Sequence, residues 1–200
     1  MFNRILFLLL LICLSQVSRS QENPAILHFD ITQIQAGVRL DFTLTAGNTC
    51  QGIRILRSAD HTSFAEIGFI GGVCGSTTDN VSYSYIDSMP LANTLADYQL
   101  DLELLGTSAV HSFRYIRYGN EGVVAIPNIS EGLFHLYFQN PLREAVELIV
   151  YDLTGRKIRE TQFGGISTID LDLSNETAGQ FIFNININNI DNYTGKLIVY

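Results

Sequence analysis

Positive charge is scarce in this sequence: Lys and Arg number 12 against 20 Asp and Glu, a formal charge of −8. A chain of that sign has little electrostatic grip on phosphate, so no nucleic acid is expected as a partner. Long apolar runs are scarce too. The longest, Ile5 to Leu14, is about half of the roughly twenty residues that carry a helix across a bilayer, and no transmembrane segment is expected in the mature chain. Cys-x-x-Cys, Gly-x-Ser-x-Gly and histidine pairs at metal-binding spacing are all missing, with His28, His61, His111 and His135 scattered one per segment. Redox, serine-nucleophile and metal chemistry therefore have no local motif here, and no catalytic residue, metal or cofactor is expected.

What is present starts with an export leader. Arg4 supplies a positive charge, Ile5 to Leu14 the apolar core, and Ser18-Arg19-Ser20 small residues ahead of a cleavage point between Ser20 and Gln21. Removing residues 1–20 takes away Arg4 and Arg19 but no acid, so the mature charge falls to −10. Cys50 and Cys74 remain, and in an exported chain an even pair is expected to form a disulfide. Closing a loop of about two dozen residues contributes roughly 3 kcal/mol on the chain-entropy account.

From Ala25 onward, short segments alternate apolar with polar residues and are punctuated by Gly, Asn, Asp and Pro. Val38-Leu40-Phe42-Leu44, Val81-Tyr83-Tyr85 and Tyr98-Leu100-Leu102-Leu104 are the clearest, each with one face for a core and one for water. With Ile26 to Ile34, Gly52 to Ser58, Phe64 to Ile70 and Ala109 to Tyr118 they make about seven strands. A second block repeats the pattern in Phe134-Leu136-Phe138, Val146-Leu148-Val150, Ile169-Leu171-Leu173 and Phe181-Phe183-Ile185. The expected fold is all-β: two consecutive antiparallel β-sandwiches of the immunoglobulin or fibronectin III-like kind. The expected divisions are a leader over 1–20, a passenger over 21–118, a linker over 119–125 and a second domain over 126–200.

Asp101 with Glu103, and Asp170 with Asp172, fall two apart on single strands, the spacing of a solvated outer face. Carboxylates of this kind could also serve a small secreted hydrolase, which is the alternative reading of the passenger. Asp87-Ser88-Met89 matches a short acceptor for O-linked sugar and marks Ser88 for modification. Gly71 to Asn80, around Cys74, is the expected ligand loop, and Tyr98 is placed to close a tyrosine corner onto backbone upstream.

The second block carries a specific order of motifs: Ile126-Pro127-Asn128, Glu131-Gly132-Leu133-Phe134, Val146 to Tyr151-Asp152-Leu153-Thr154-Gly155-Arg156, Ser174 to Gly179-Gln180-Phe181, and Lys196-Leu197-Ile198-Val199-Tyr200. It resembles the type A C-terminal sorting domain of the type IX (Por) secretion system. The motif residues are Pro127, Asn128, Gly132, Tyr151, Asp152, Gly155, Arg156, Gly179 and Lys196. The resemblance implies passage through the periplasm of a Gram-negative bacterium and export to the surface or medium. It implies the type IX translocon and its sorting protease as partners. The first block resembles a fibronectin type III-like module on Cys50 to Ile53, Arg57 to Asp60, Phe64 to Gly68, and Tyr85 to Asp87 leading to Asp97 to Leu100. Together these suggest a non-enzymatic exported protein whose passenger adheres to a surface glycan or protein ligand, or forms a structural component of the surface.

Overall fold

The computed structural model describes residues 21–188 and 191–200; the expected leader, Ser20 included, lies outside the described residues. Two compact units divide the chain. Unit 1 runs to Leu91 and takes in Leu95–Phe113, while unit 2 holds Ala92–Thr94 and Arg114–Tyr200.

Unit 1 is built from β1 (Ile26–Ile34), β2 (Gly37–Leu44), β3 (Asn48–Ser58), β4 (Phe64–Ser76), β5 (Val81–Asp87), β6 (Leu95–Asp101) and β7 (His111–Arg114). They form two sheets with orders β1-β2-β5 and β4-β3-β6-β7. Alternation decides the faces: Val38, Leu40, Phe42 and Leu44 of β2 are buried, whereas Arg39 is exposed. Ile53, Ile55, Tyr98 and Leu100 answer them from the other sheet. One margin of the sandwich is tied by β5 side chains. The Tyr83 hydroxyl accepts from the Gly75 amide at 2.7 Å, and the Tyr85 hydroxyl donates to the Ile67 carbonyl.

Three local expectations change. β4 continues through Gly71 to Ser76, paired with β3, so the expected ligand loop shrinks to the residues after Ser76. β6 stops at Asp101, where the Asp101 carboxylate accepts the Glu103 amide and Leu102 N–H donates to the Gly106 carbonyl. That turn buries Leu102 and leaves Leu104 almost fully exposed. Tyr98 does bond upstream, but to the Asp87 carboxylate at 2.9 Å rather than to backbone, because Asp87 is itself buried at the end of β5.

Unit 2 contains β8 (Val123–Ile126), β9 (Ile129–Ser130), β10 (Leu133–Phe138), β11 (Val146–Asp152), β12 (Lys157–Phe163), β13 (Thr168–Asp172), β14 (Gly179–Ile187) and β15 (Asp191–Val199). Ahead of β8, Gly119 to Gly122 forms a turn closed by the Gly122 amide on the Gly119 carbonyl at 3.1 Å. The sheets have orders β13-β10-β8 and β12-β11-β14-β15-β9. Their inner faces share one core of Phe134, Leu136, Phe138, Leu148, Val150, Phe183, Ile185 and Leu197. Every pairing between these strands is antiparallel except β9 with β15.

Candidate functional site

The motif residues, spread over some seventy positions, gather at one end of unit 2. Registers fix this. Asp152, at the end of β11, faces Phe181 near the start of β14; Gly179 faces Val199 near the end of β15; and Ile198 faces Ile129 of β9. Pro127 and Asn128 lead into β9, so both ends of the motif set reach the same edge. On the outer face of this sheet, Lys157, Tyr151, Ile182 and Lys196 align in one row across four strands. The whole chain has two lysines, and both stand in this row. Lys157 bonds to Glu160, while Lys196 has no carboxylate partner among the described residues.

The hairpin from β11 to β12 is organised by Asp152. Its Oδ1 accepts from the Thr154 amide at 2.9 Å, the Thr154 hydroxyl at 2.6 Å and the Arg156 amide at 3.0 Å, while Oδ2 receives Arg156 Nε at 3.0 Å. Backbone bonds add Gly155 N–H to the Asp152 carbonyl and Asp152 N–H to the Arg156 carbonyl. Gly155 sits at φ +84°, a conformation in which side chains are strained. The Thr154 and Arg156 side chains hold the Asp152 carboxyl down to about 2. The turn is thus a charge-locked knob with Leu153 and Arg156 exposed on it.

Gly132 and Gly179 differ physically. At Gly132, φ is +119° and a Cβ would lie 2.4 Å from the Ser174 amide nitrogen, while its carbonyl accepts the Leu173 amide at 2.7 Å. Gly179 has an ordinary φ, and a Cβ there would meet only the Thr177 carbonyl oxygen, at an unstrained 3.7 Å. Close by, Ile198 N–H donates to the Asn128 carbonyl at 2.9 Å and Tyr200 N–H to the Ser130 carbonyl at 3.2 Å. The first motif of the set is therefore clasped to the last.

In unit 1, Cys50 and Cys74 are disulfide-bonded, with Cα atoms 5.0 Å apart across paired β3 and β4. Ser88 is exposed between buried Asp87 and exposed Met89, whose amide donates to Asp87 Oδ1 at 3.1 Å. The other oxygen of Asp87 receives Arg57 at 2.6 Å as well as Tyr98. Burial first, and then the Asp87 charge, push the Tyr98 hydroxyl well above its ordinary value. A second buried acid, Asp97, takes Ser112 Oγ at 2.6 Å on one oxygen and His61 Nδ1 at 2.8 Å on the other. Serine, histidine and aspartate meet here in the wrong order for nucleophilic catalysis: the serine proton goes to the carboxylate and no imidazole faces its oxygen.

The acidic pairs noted in the sequence also have partners. Arg54 lies within 3.2 Å of Asp101 and 3.8 Å of Glu103, and His135 bonds to Asp170 at 2.6 Å while Asp172 caps the Ser174 amide. No group of three or more His, Cys, Asp or Glu among the described residues could hold a metal. A recess of about 200 Å³ lined by Val146, Glu147, Gln162, Phe163 and Asn186 lies at the end of unit 2 away from the motif residues. A wider one of about 500 Å³ near Tyr118, Phe138, Asn140 and Arg143 contains no carboxylate or histidine.

Sequence reasoning missed two contacts. Gly195 lies opposite Phe183, whose ring fills the space a Cβ would need (2.3 Å), a requirement visible only once the register is known. Glu22, two residues beyond Ser20, accepts the Ala109 amide and bonds to His111 Nε2 at 2.8 Å, which ties the segment ahead of β1 to β7. Burial opposes the charge on Glu22, yet these hydrogen bonds, led by His111, hold its carboxyl below the ordinary value.

Residues 125–200 match the family described as the secretion system C-terminal sorting domain. Unit 2 thus carries a type IX sorting domain, which marks the chain for export to the cell surface or medium and implies interaction with the type IX secretion machinery. No curated protein matches the chain. Among solved structures, the human OSCAR ligand-binding domain aligns over 86% of this chain and 96% of its own, at 11% identity and a TM-score of 0.29. At that score it is no guide to a ligand. No helix among the described residues is long and apolar enough to cross a membrane.

Proposed function

We propose that this is an exported, non-enzymatic surface protein in which unit 1 is the passenger and unit 2 the address. The leader is cut between Ser20 and Gln21, the chain folds in the periplasm, and the translocon reads the end of unit 2 that carries Asp152, Arg156, Lys196 and Asn128. A sorting protease then removes the sorting domain over residues 126–200. The observation that carries this reading is the convergence of widely spaced motif residues on one end of one sandwich. A core needs apolar positions, not an exposed Arg156 or an unpartnered Lys196.

Unit 1 supports a fibronectin III-like reading through its strand orders, β1-β2-β5 against β4-β3-β6-β7. Its buried acids, Asp87 and Asp97, are occupied by structural partners, which favours adhesion over hydrolysis. The adhesive surface we assign is on β4, where Phe69 and Val73 are exposed beside Gly71 and Gly72. A surface glycan or a protein is the ligand class that suits it. Ser88, at an exposed turn, is the acceptor we assign for an O-linked sugar, and a glycan mass lost on Ser88→Ala is the check.

The decisive experiment deletes residues 126–200 in secreting cells. Retention of the truncated chain in the periplasm is expected; full-yield appearance in the medium would overturn the address reading.

A further inference from the structure

Each sheet of unit 2 has two edge strands, and the two sides of the sandwich are treated differently. On one side the edges are β12 and β13, which carry Lys157, Arg159 and Glu160, and Asp170 and Asp172. Charges at such positions discourage a further strand from pairing. On the other side the edges are β8, with no charged residue, and β15, which is uncharged between Asp191 and Lys196. β9 covers β15 at Ile198 and Val199 alone, leaving the other seven residues of a nine-residue strand unpaired on that side.

The direction of the free groups follows from the ladder. Ile198 and Tyr200 donate their amides outward, to Asn128 and Ser130. Backbone groups of a strand alternate sides, and the β14 to β15 register runs without a bulge from Gly179↔Val199 to Ile187↔Asp191. The N–H and C=O of Asn192, Thr194 and Lys196 therefore point to this same side, where β8 runs close by but no strand is hydrogen-bonded to them. Their side chains are exposed, and the Lys196 ammonium stands on the same residues.

Resting on the address reading, we propose that this edge docks an extended strand of the export machinery by β-augmentation, with a carboxylate on that strand meeting Lys196. Main-chain hydrogen bonds give such a contact its affinity, and side-chain complementarity gives its selectivity. Lys196 supplies the complementarity, because an acidic strand gains a cation that no carboxylate among the described residues neutralises. β9 acts as a stop that fixes how far along β15 the guest extends.

The test uses prolines whose missing N–H faces outward, Asn192→Pro and Thr194→Pro, which leave the β14 ladder bonds in place. Each removes one edge donor, and secreted yield is expected to fall about tenfold, the loss that one good hydrogen bond represents. Heat denaturation of the purified full chain checks that the fold persists. Lys196→Glu, which disturbs no backbone, is expected to lower yield similarly. A photo-crosslinking residue at position 194 in secreting cells gives an independent readout: an adduct with a component of the secretion machinery supports the proposal, and an adduct with a second copy of this chain, or none, overturns it. If the prolines and Lys196→Glu are exported at full yield while deletion of 126–200 blocks export, edge docking fails and the address reading stands. If the deletion too is exported, both fail.

Discussion

Gly132 and Gly179 belong to one motif set but hold their places for different reasons, and substitution separates them. Gly132→Ala forces a Cβ into the Ser174 backbone at positive φ and is expected to cost about 2 kcal/mol, read from the denaturant midpoint of the mature chain. Gly179→Ala has room and an ordinary φ, so stability should hold, and any loss of export it causes would mark recognition rather than folding. Asp152 makes a pH prediction. Its folded carboxyl lies near 2 against an ordinary 3.8, so its contribution is present above about pH 4 and is lost as pH falls toward 2. A carboxyl carbon titration should place its midpoint near pH 2, and Asp152→Ala should abolish the slow exchange of the Thr154 and Arg156 amides. Residue identities in this hairpin were legible because Asp-x-Thr-Gly is local chemistry. The need for glycine opposite Phe183 was not, since it depends on which strand lies alongside.

Elements were legible to the extent that alternation defined them. β1 and β2 stand where the pattern of Ile26 to Ile34 and Val38 to Leu44 placed them, because each has one wet face. β4 outran its expected end since Gly71, Gly72 and Gly75 look like turn residues, yet pairing with β3 and the Cys50–Cys74 bond carry the strand through them. β9 gave no signal, being two residues long and defined by the partner strand at its side. The Arg57–Asp87–Tyr98 cluster joins β3, β5 and β6 and was hidden for the same reason. Asp87→Ala strips the partner from a largely buried guanidinium and is expected to destabilise unit 1 by about 3 kcal/mol or more. Tyr98, whose folded ionisation is raised, contributes stability that is full below about pH 10 and is lost as pH rises beyond it. In an alkaline titration of the nine tyrosines, followed by tyrosinate absorbance, Tyr98 should ionise last and together with unfolding.

For the whole molecule, the sequence disclosed an itinerary more readily than an activity. Export signals must be readable by machinery, so they use local and ordered motifs, whereas a binding surface on a sandwich can be assembled from almost any exposed side chains. Mass spectrometry of the protein from the medium should find Gln21 leading the chain and the sorting domain over residues 126–200 removed. Glu22 adds an acid sensitivity to that new terminus: its lowered carboxyl sustains the anchor to His111 above its ordinary value near 4.5, and the anchor weakens as pH falls below it. Proteolysis of the first few residues should accelerate in that acidic range.

The parallel pair of β9 with β15 has a bearing on synthesis. β9 emerges from the ribosome among the first parts of unit 2, but its partner is the last strand of the unit in chain order. A product clipped or terminated ahead of β15 therefore presents Asn128 to Ser130 without the two amides that clasp their carbonyls. If the completed clasp is what the machinery engages, the address also reports that synthesis has run through β15, and chains lacking that strand are withheld from the cell surface without a separate inspection step.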